Sequence, residues 1–384
     1  MWQSELLVRF SNDFRVVGGS GSAQIKKQEE MVMKEMRKSL RAVMVLAVLS
    51  LVLGSMTGMA AQKKLKFYFL PKMIGENFFE VAGKNAVEQG KKLGVEVIYD
   101  GPSAASVSEQ VKFINTAISM GVDAILLSSN SPEGLNQALK RAKSKGILVL
   151  TWDSDVNPEY RNFYVDQGTP DILGKLLVSM IENQAGEAGK GKFKVAFHYS
   201  SPTVTDQNAW ANVAKKIIQT QHPNWEIVTT QYSDMDFPKA VSTGEQILKT
   251  YPDVNAIICP DSTAFPGTSK ALENLNKGGK VIVVGFSTPS VMKPYIERGT
   301  IAQGALWDCG LQGAATVYVA HQILTGKKFT VGSSFSMPGV NGNFNILPNS
   351  AQGYDKKYDR KDNGLIILPE RLIYNSSNID SYKF

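Results

Sequence analysis

Asp206 and Gln207 stand in the run Tyr199-Ser-Ser-Pro-Thr-Val-Thr-Asp-Gln-Asn-Ala-Trp210, which gathers a carboxylate, a carboxamide, hydroxyls and an indole on one short segment. That set suits a polyhydroxylated small molecule, with acid and amide for its hydroxyls and a ring face for its carbon. Thr151-Trp152-Asp153-Ser154-Asp155 offers a second set. Two carboxylates two residues apart share a face if the strand continues, which allows a general acid–base pair or hydroxyl recognition. No nucleophile or metal set accompanies them. Asp153 is therefore expected to accept from ligand hydroxyls, with Asp155 beside it and Trp152 stacking on the ligand or lining the cleft. Carboxylate-to-hydroxyl bonds are charge-assisted, and one acid can accept from both hydroxyls of a vicinal diol. Pro71-Lys72 to Phe78-Phe79 adds an ammonium and two rings. In Cys259-Pro260-Asp261-Ser262-Thr263, Pro260 bends the chain out of a sheet and presents its carbonyl, while Asp261 suits a ligand or a helix N-cap equally. Leu306-Trp307-Asp308 repeats the Trp-Asp pairing, as a cleft wall or as a core Trp with a capping Asp.

Each set follows an apolar run. Strand-like runs at 65–70, 95–99, 124–128 and 147–151 alternate with helical patterns at 78–93, 106–120 and 133–145, closed by Gly94, Gly121 and Gly146. The pattern restarts with a helix at 171–183, a Gly/Lys-rich linker, and strands at 194–198, 227–231, 256–259 and 281–284. Short apolar runs between Gly-closed helices predict parallel sheets covered on both faces. Ligands bind such sheets at the carboxyl ends of the strands. The reading is an α/β protein of two wound lobes with a sugar-like ligand between them. Residues 62–155 and 288–326 are assigned to the N-terminal lobe, and 156–287 and 327–384 to the C-terminal lobe. The stretch 285–289 is expected to be a hinge crossing. The Asn/Gly/Pro/Tyr-rich tail from 327, with one apolar run at 365–368, is expected to be irregular and to wrap the surface.

Composition narrows the function classes. Hydrophobic residues make up 43% and charged residues 20% of 384, an ordinary balance for two globular domains. The net charge is +7, and the first 61 residues, with eight Lys/Arg against five Asp/Glu, supply +3 of it. The remainder is too mild and dispersed to predict a nucleic-acid partner. No glycine-rich phosphate fingerprint and no GxSxG elbow follows any strand. His198, His222 and His321 are too far apart for a metal set, and no cofactor is expected. Cys259 and Cys309 read as buried free thiols rather than a bridge.

The basic run 36–41, the apolar run 42–53 and the small residues to Ala60 and Ala61 form the pattern of a secretory signal peptide, cleaved near Ala60 or Ala61. The residues before Met31 are unlike a signal n-region, so Met31, Met33 or Met36 is the expected start. No Cys near the cleavage point offers lipid attachment, so a soluble, periplasmic protein is expected.

Taken in order, Phe69-Leu-Pro-Lys72, Tyr99-Asp-Gly-Pro102, Leu150-Thr-Trp-Asp-Ser-Asp155, Gln167-Gly-Thr-Pro170, the Tyr199 to Asn208 run, Gly285-Phe-Ser-Thr-Pro289, Leu306-Trp-Asp308, Pro348 to Asp355 and Leu368-Pro-Glu-Arg371 resemble the type I periplasmic binding proteins of ABC transporters, and within them the Lsr-type autoinducer-2-binding proteins. They span essentially the whole mature chain. The resemblance implies two doubly wound parallel-sheet lobes joined by a hinge, and a binding role rather than an enzymatic one. The implied ligand is autoinducer-2, a furanose-like polyol. The contacts it implies fall on Lys72, Asp153, Asp206, Gln207 and the carbonyl of Pro260. The implied partners are the ABC permease and ATPase complex of the inner membrane and a chemoreceptor, with the receptor a monomer. The chain departs from the pattern at Cys259, Ser262 and Thr263, where the family has Ala, Ala and Asn. Ser262 stays a ligand candidate, and this loop is where a different ligand would show. The alternative ligands are rhamnose or another pentose or hexose. Rivals from other classes are a secreted enzyme using Asp153 and Asp155, and a sugar-responsive repressor, against which the signal peptide argues.

Overall fold

The computed structural model describes residues 22–56 and 64–384. Helix α1 (Ser22–Met56) holds the basic and apolar runs read as a signal peptide. Among the described residues no helix is long and apolar enough to cross a membrane. The expected cleavage point at Ala60 or Ala61 lies outside the described residues.

A second compact unit runs from Lys64 to Phe384. It opens with β1 (Lys66–Leu70), α2 (Asn77–Leu93), β2 (Glu96–Tyr99), α3 (Val107–Ser119), β3 (Ala124–Leu127), α4 (Asn136–Ser144), β4 (Leu148–Trp152) and β5 (Phe163–Asp166). It continues with α5 (Pro170–Ala185), β6 (Phe193–Tyr199), α6 (Thr205–Gln221), β7 (Trp225–Tyr232), α7 (Phe237–Thr250), β8 (Ala256–Cys259), α8 (Ala264–Asn274) and β9 (Ile282–Gly285). Last come α9 (Pro289–Glu297), β10 (Gln303–Leu306), α10 (Cys309–Leu324), β11 (Ser334–Phe335), β12 (Phe344–Leu347), β13 (Gly364–Ile367) and β14 (Leu372–Asn375).

The apolar runs become strands because both faces are covered: β3, β4 and β8 are buried at every position. Gly94 ends α2 at φ 72°, donating its N–H to the carbonyls of Gly90 and Lys91. Gly313 lets α10 meet α2, since a Cβ there would sit 2.2 Å from the Ala82 carbonyl oxygen.

Two main sheets form. The first has the order β11-β12-β13-β5-β4-β3-β1-β2, parallel from β13 to β2 and antiparallel at the β11-β12-β13 edge. The second is all parallel, β7-β6-β8-β9. β10 and β14 pair antiparallel beside β9, linked to it by the Phe286–Ala305 bridge.

This topology corrects the expected lobe division. β5 lies in the first sheet because it pairs with β4 and β13, so 163–166 is not part of the second lobe. The tail is not irregular either: β11 to β13 extend the first sheet, and only β14 returns to the second lobe's side. Helix α9 and β10 pack beside α8 and β9, whereas α10 packs on α2 and β4. The chain therefore crosses after β5, after β10 and after β13. Residues 285–289 join β9 to α9 on one side and are not a crossing. Arg371 ties two of the three crossings, its Nε donating to the Gln167 carbonyl at 2.5 Å and its Nη1 to the Leu368 carbonyl at 3.0 Å.

Candidate ligand-binding site

The carboxyl ends of β1 and β4 from the first lobe face those of β6, β7 and β8 from the second. Between them lies a small cavity. Lys72, Asp153, Asp206, Gln207, Asp261 and Ser262 form its polar lining, with Pro260 beside them. Phe78, Phe79, Trp210, Met235, Phe286, Leu306 and Trp307 form its apolar lining.

A buried ion cluster holds the centre. Lys72 Nζ lies 3.1 Å from Asp153 Oδ2 and 3.4 Å from both carboxylate oxygens of Asp206. Ser128 Oγ donates to Asp153 Oδ2 at 2.5 Å, and Ser154 Oγ donates across the cleft to Asp206 Oδ1 at 2.7 Å. Gln207 spends its carbonyl oxygen on the N–H and hydroxyl of Ser200, and one amide hydrogen on Asp261 Oδ2 at 3.0 Å. Its second amide hydrogen is not used in these bonds.

Asp153 reaches its place through an unusual backbone. Strand β4 stops at Trp152, and Asp153 takes φ 58°. Aspartate tolerates this left-handed conformation better than most residues. Gln167 Nε2 at 2.8 Å and Tyr164 Oη at 2.7 Å hold the turn by donating to the Asp153 carbonyl.

Burial pushes the Asp153 carboxyl up to about 6, against the pull of the Lys72 charge. Burial also works to lower the Lys72 ammonium, but Asp153, Asp206 and Asp261 outweigh it and hold it above its usual value. Burial raises Asp261 as well. One cation and three carboxylates leave a surplus of acceptors. The cavity disfavours anions and suits a neutral ligand that donates through hydroxyls while laying its carbon face on the rings.

Residues 67–328 match the periplasmic binding protein domain family. The chain belongs to the periplasmic binding proteins. One similar structure is LsrB from Clostridium saccharobutylicum in complex with AI-2, which is 39% identical, has a TM-score of 0.80, and is covered 100% by 83% of this chain. A solute-binding protein from Clostridium phytofermentas with bound L-rhamnose shares the fold, at 24% identity and a TM-score of 0.75, over 83% of this chain and 98% of that one. Among curated relatives, the ribose import binding protein of Bacillus subtilis (strain 168) is 25% identical over 66% of this chain and 80% of its own length. This periplasmic binding protein is thus a sugar-type substrate-binding component of ABC import, with the two-lobed type I fold, and not an enzyme. The family implies a periplasmic location.

The fold of this periplasmic binding protein brings Lys72, Asp153, Asp206, Gln207, Pro260 and Ser262 into one cavity with Phe78, Phe79 and Trp307. Three other candidates fall elsewhere. Trp152 is fully buried in the first lobe, stacked on Phe69 at 4.5 Å between ring centroids, with Nε1 donating to the Leu126 carbonyl. It therefore supports the site from behind and lies off the cavity lining. Asp155 pairs with buried Arg161 at 2.8 Å and accepts from Thr151 Oγ1 at 2.5 Å. The left-handed turn at Asp153 breaks the strand alternation that would have put both acids on one face. Asp308 caps α10, accepting from the Leu311 N–H at 2.8 Å. Asp261 takes the capping role, with Oδ1 accepting from the Ala264 N–H at the start of α8, while Oδ2 accepts from Gln207 and the residue also lines the cavity. Both cysteines are buried free thiols. The indole of Trp210, read as a ring face at the end of the Tyr199 run, also lines the cavity. Met235, Phe286 and Leu306 were not among the candidates; Phe286 and Leu306 lie inside recognised motifs and were within reach, but Met235 sits in a plain loop that carries no sequence signal.

Proposed function

We propose that this protein captures autoinducer-2 between its lobes and delivers it to an ABC permease and ATPase complex in the inner membrane. The observation that carries this reading is the acceptor-rich cluster of Lys72, Asp153, Asp206 and Asp261 facing an aromatic wall in the cavity between the lobes. The similarity to LsrB in complex with AI-2 supports it. Asp153 and Asp206 accept from neighbouring ligand hydroxyls, Gln207 donates its remaining amide hydrogen, and the Pro260 carbonyl accepts another hydroxyl. Lys72 balances the two acids and donates to a ligand oxygen. Phe78, Phe79 and Trp307 pack against the carbon face. Ser262 Oγ reaches across the cleft to the Glu76 carboxyl, which burial lifts to about 7.

Because the ligand touches both lobes, it stabilises the closed arrangement by its contacts to each, and the three crossings act as the hinge. Export with cleavage near Ala60 or Ala61, a monomeric receptor, and docking of the closed form on a chemoreceptor belong to the same proposal. A receptor for rhamnose or another pentose or hexose is the second reading, favoured by the ribose import relative.

The test is ligand release. The protein is expressed in a host that makes autoinducer-2 and in one that does not, then purified and heat-denatured, and each supernatant is assayed with a reporter strain. Activity from the first host alone is expected. No activity from either transfers the reading to sugars, and the loop of Ser262 and Thr263 becomes the first place to look.

A further inference from the structure

The loop after β7 holds a conformation that its residue types disfavour. Four non-glycine residues among those described have positive φ: Asp153 at 58°, Asp234 at 53°, Met235 at 57° and Asn276 at 55°. Asp and Asn visit this region because a short polar side chain can hydrogen-bond locally. Methionine has no such device, and its Cβ crowds the following carbonyl. A residue of this kind persists only where its surroundings over-determine it, and such residues gather at ligand sites.

The surroundings here do so. The Ser233 N–H donates to the Tyr199 carbonyl at 3.0 Å and the Asp234 N–H to the Ser200 carbonyl at 2.7 Å, which ties the loop to the end of β6. The Asp236 N–H donates back to the Ser233 carbonyl at 3.0 Å, and the Asp236 carboxylate caps α7 by accepting from the Lys239 N–H at 2.7 Å. An Asp234–Lys239 ion pair closes the outer side. The outcome is a sorting of two apolar side chains. Met235 lines the ligand cavity and is 5% exposed, whereas Phe237, two residues on, is 44% exposed.

We propose that Met235 sets the size of the accepted ligand: the left-handed loop at 234–235 holds its side chain in the cavity as part of the second lobe's wall. This rests on the cavity being the polyol site. Methionine is unbranched and soft, so it follows the contour of a small ligand and resists a larger one by occupying space rather than by charge. Truncation to alanine removes Cγ, Sδ and Cε from the cavity wall and leaves the polar cluster untouched.

The test titrates autoinducer-2 and L-rhamnose separately into the full chain and into Met235→Ala, Met235→Leu and Met235→Gly variants by calorimetry. Met235→Ala is expected to raise the L-rhamnose to autoinducer-2 affinity ratio by about tenfold, the scale at which a few apolar atoms discriminate in a pocket. Met235→Leu, which keeps the volume, is expected to keep the parent ratio. An unchanged ratio in Met235→Ala overturns the proposal. A parent that binds L-rhamnose and not autoinducer-2 sinks the proposed ligand; in that case about tenfold tighter L-rhamnose binding by Met235→Ala upholds the wall and unchanged L-rhamnose binding overturns it. Failure of both probes with every protein overturns both readings. Thermal melting tests the strain: Met235→Gly should melt at or above Met235→Ala, because glycine has no Cβ to crowd, and the reverse order overturns that part.

Discussion

Replacing Asp153 with asparagine separates what this acid does for the ligand from what it costs the fold. Asparagine tolerates φ 58° as aspartate does, and the turn is held through the Asp153 carbonyl by Tyr164 and Gln167, so the backbone should stay in place. The ligand loses a charged acceptor for its hydroxyls. A hydrogen bond to a charged group contributes about 1.5–3 kcal/mol, so affinity should fall roughly 10- to 150-fold. The fold should respond in the opposite direction. The Asp153 carboxyl is raised from 3.8 to about 6, mainly by burial. The folded protein therefore holds this proton more tightly than the unfolded chain. Ionisation costs stability that is fully lost above about pH 6 and regained as pH falls toward 4. About two pKa units correspond to ~3 kcal/mol at pH 7. Lys72 gives back part of this gain, since it loses a partner at 3.1 Å while keeping Asp206 at 3.4 Å. Asp153→Asn should thus unfold in urea at the same or a higher midpoint than the parent, while calorimetry shows weakened autoinducer-2. In the parent, affinity should also weaken as pH drops through about 6, and in the variant it should be flat there. A variant that unfolds several molar earlier yet binds normally would mean that Asp153 is a structural ion-pair member, and the site assignment would fall.

Three further outcomes follow from the same geometry. Burial lowers His198 from 6.5 to about 4, so the fold holds it neutral; stability present above pH 6.5 should be lost on acidification, by about 2 kcal/mol at pH 5 in urea titrations, and His198→Gln should remove that component. Arg161 is fully buried and donates to Asp155, Asn349, Asn363 and the Gly364 carbonyl, so Arg161→Met leaves Asp155 unpaired and should cost about 3–5 kcal/mol in denaturant unfolding, whereas affinity measured on the folded fraction stays near the parent's. Ser262→Ala removes a hydroxyl directed at Glu76 but keeps the backbone carbonyl that accepts from Ser287 Oγ at 3.0 Å, so affinity should change by about tenfold or less, ~1.4 kcal/mol, and complete loss in calorimetry would show that the hydroxyl binds the ligand.

Periodicity carried most of the architecture. The strands at 66–70, 124–127, 148–152 and 256–259 were legible because a parallel strand covered on both faces must be apolar throughout, a pattern that survives without tertiary context. β5 and the tail strands were not. Phe163-Tyr-Val-Asp166 ends in a charge and follows a polar turn, and Phe344-Asn-Ile-Leu347 buries only alternate residues, as an antiparallel strand near a sheet edge does. The tail hairpin joins the first sheet only through β13 pairing with β5, a contact across some 200 residues of which local pattern holds no record.

The site divides along the same line. Residues just past a strand end, Lys72, Asp206, Gln207 and Pro260, were found because topology alone sends them to the cleft. Asp155 was misplaced and Met235 was missed for a single reason. The two-residue alternation of side chains holds only while the backbone stays extended, and at Asp153 and at 234–235 it turns left-handed. One such turn swings Asp155 out of the cleft onto Arg161; the other swings Met235 in. Neither turn contains glycine, the residue that would have signalled it. The positions that sequence pattern misassigns are therefore those where hydrogen bonds from neighbouring strands override local preference, and in a cleft between two sheets these are also the positions that shape the ligand's walls.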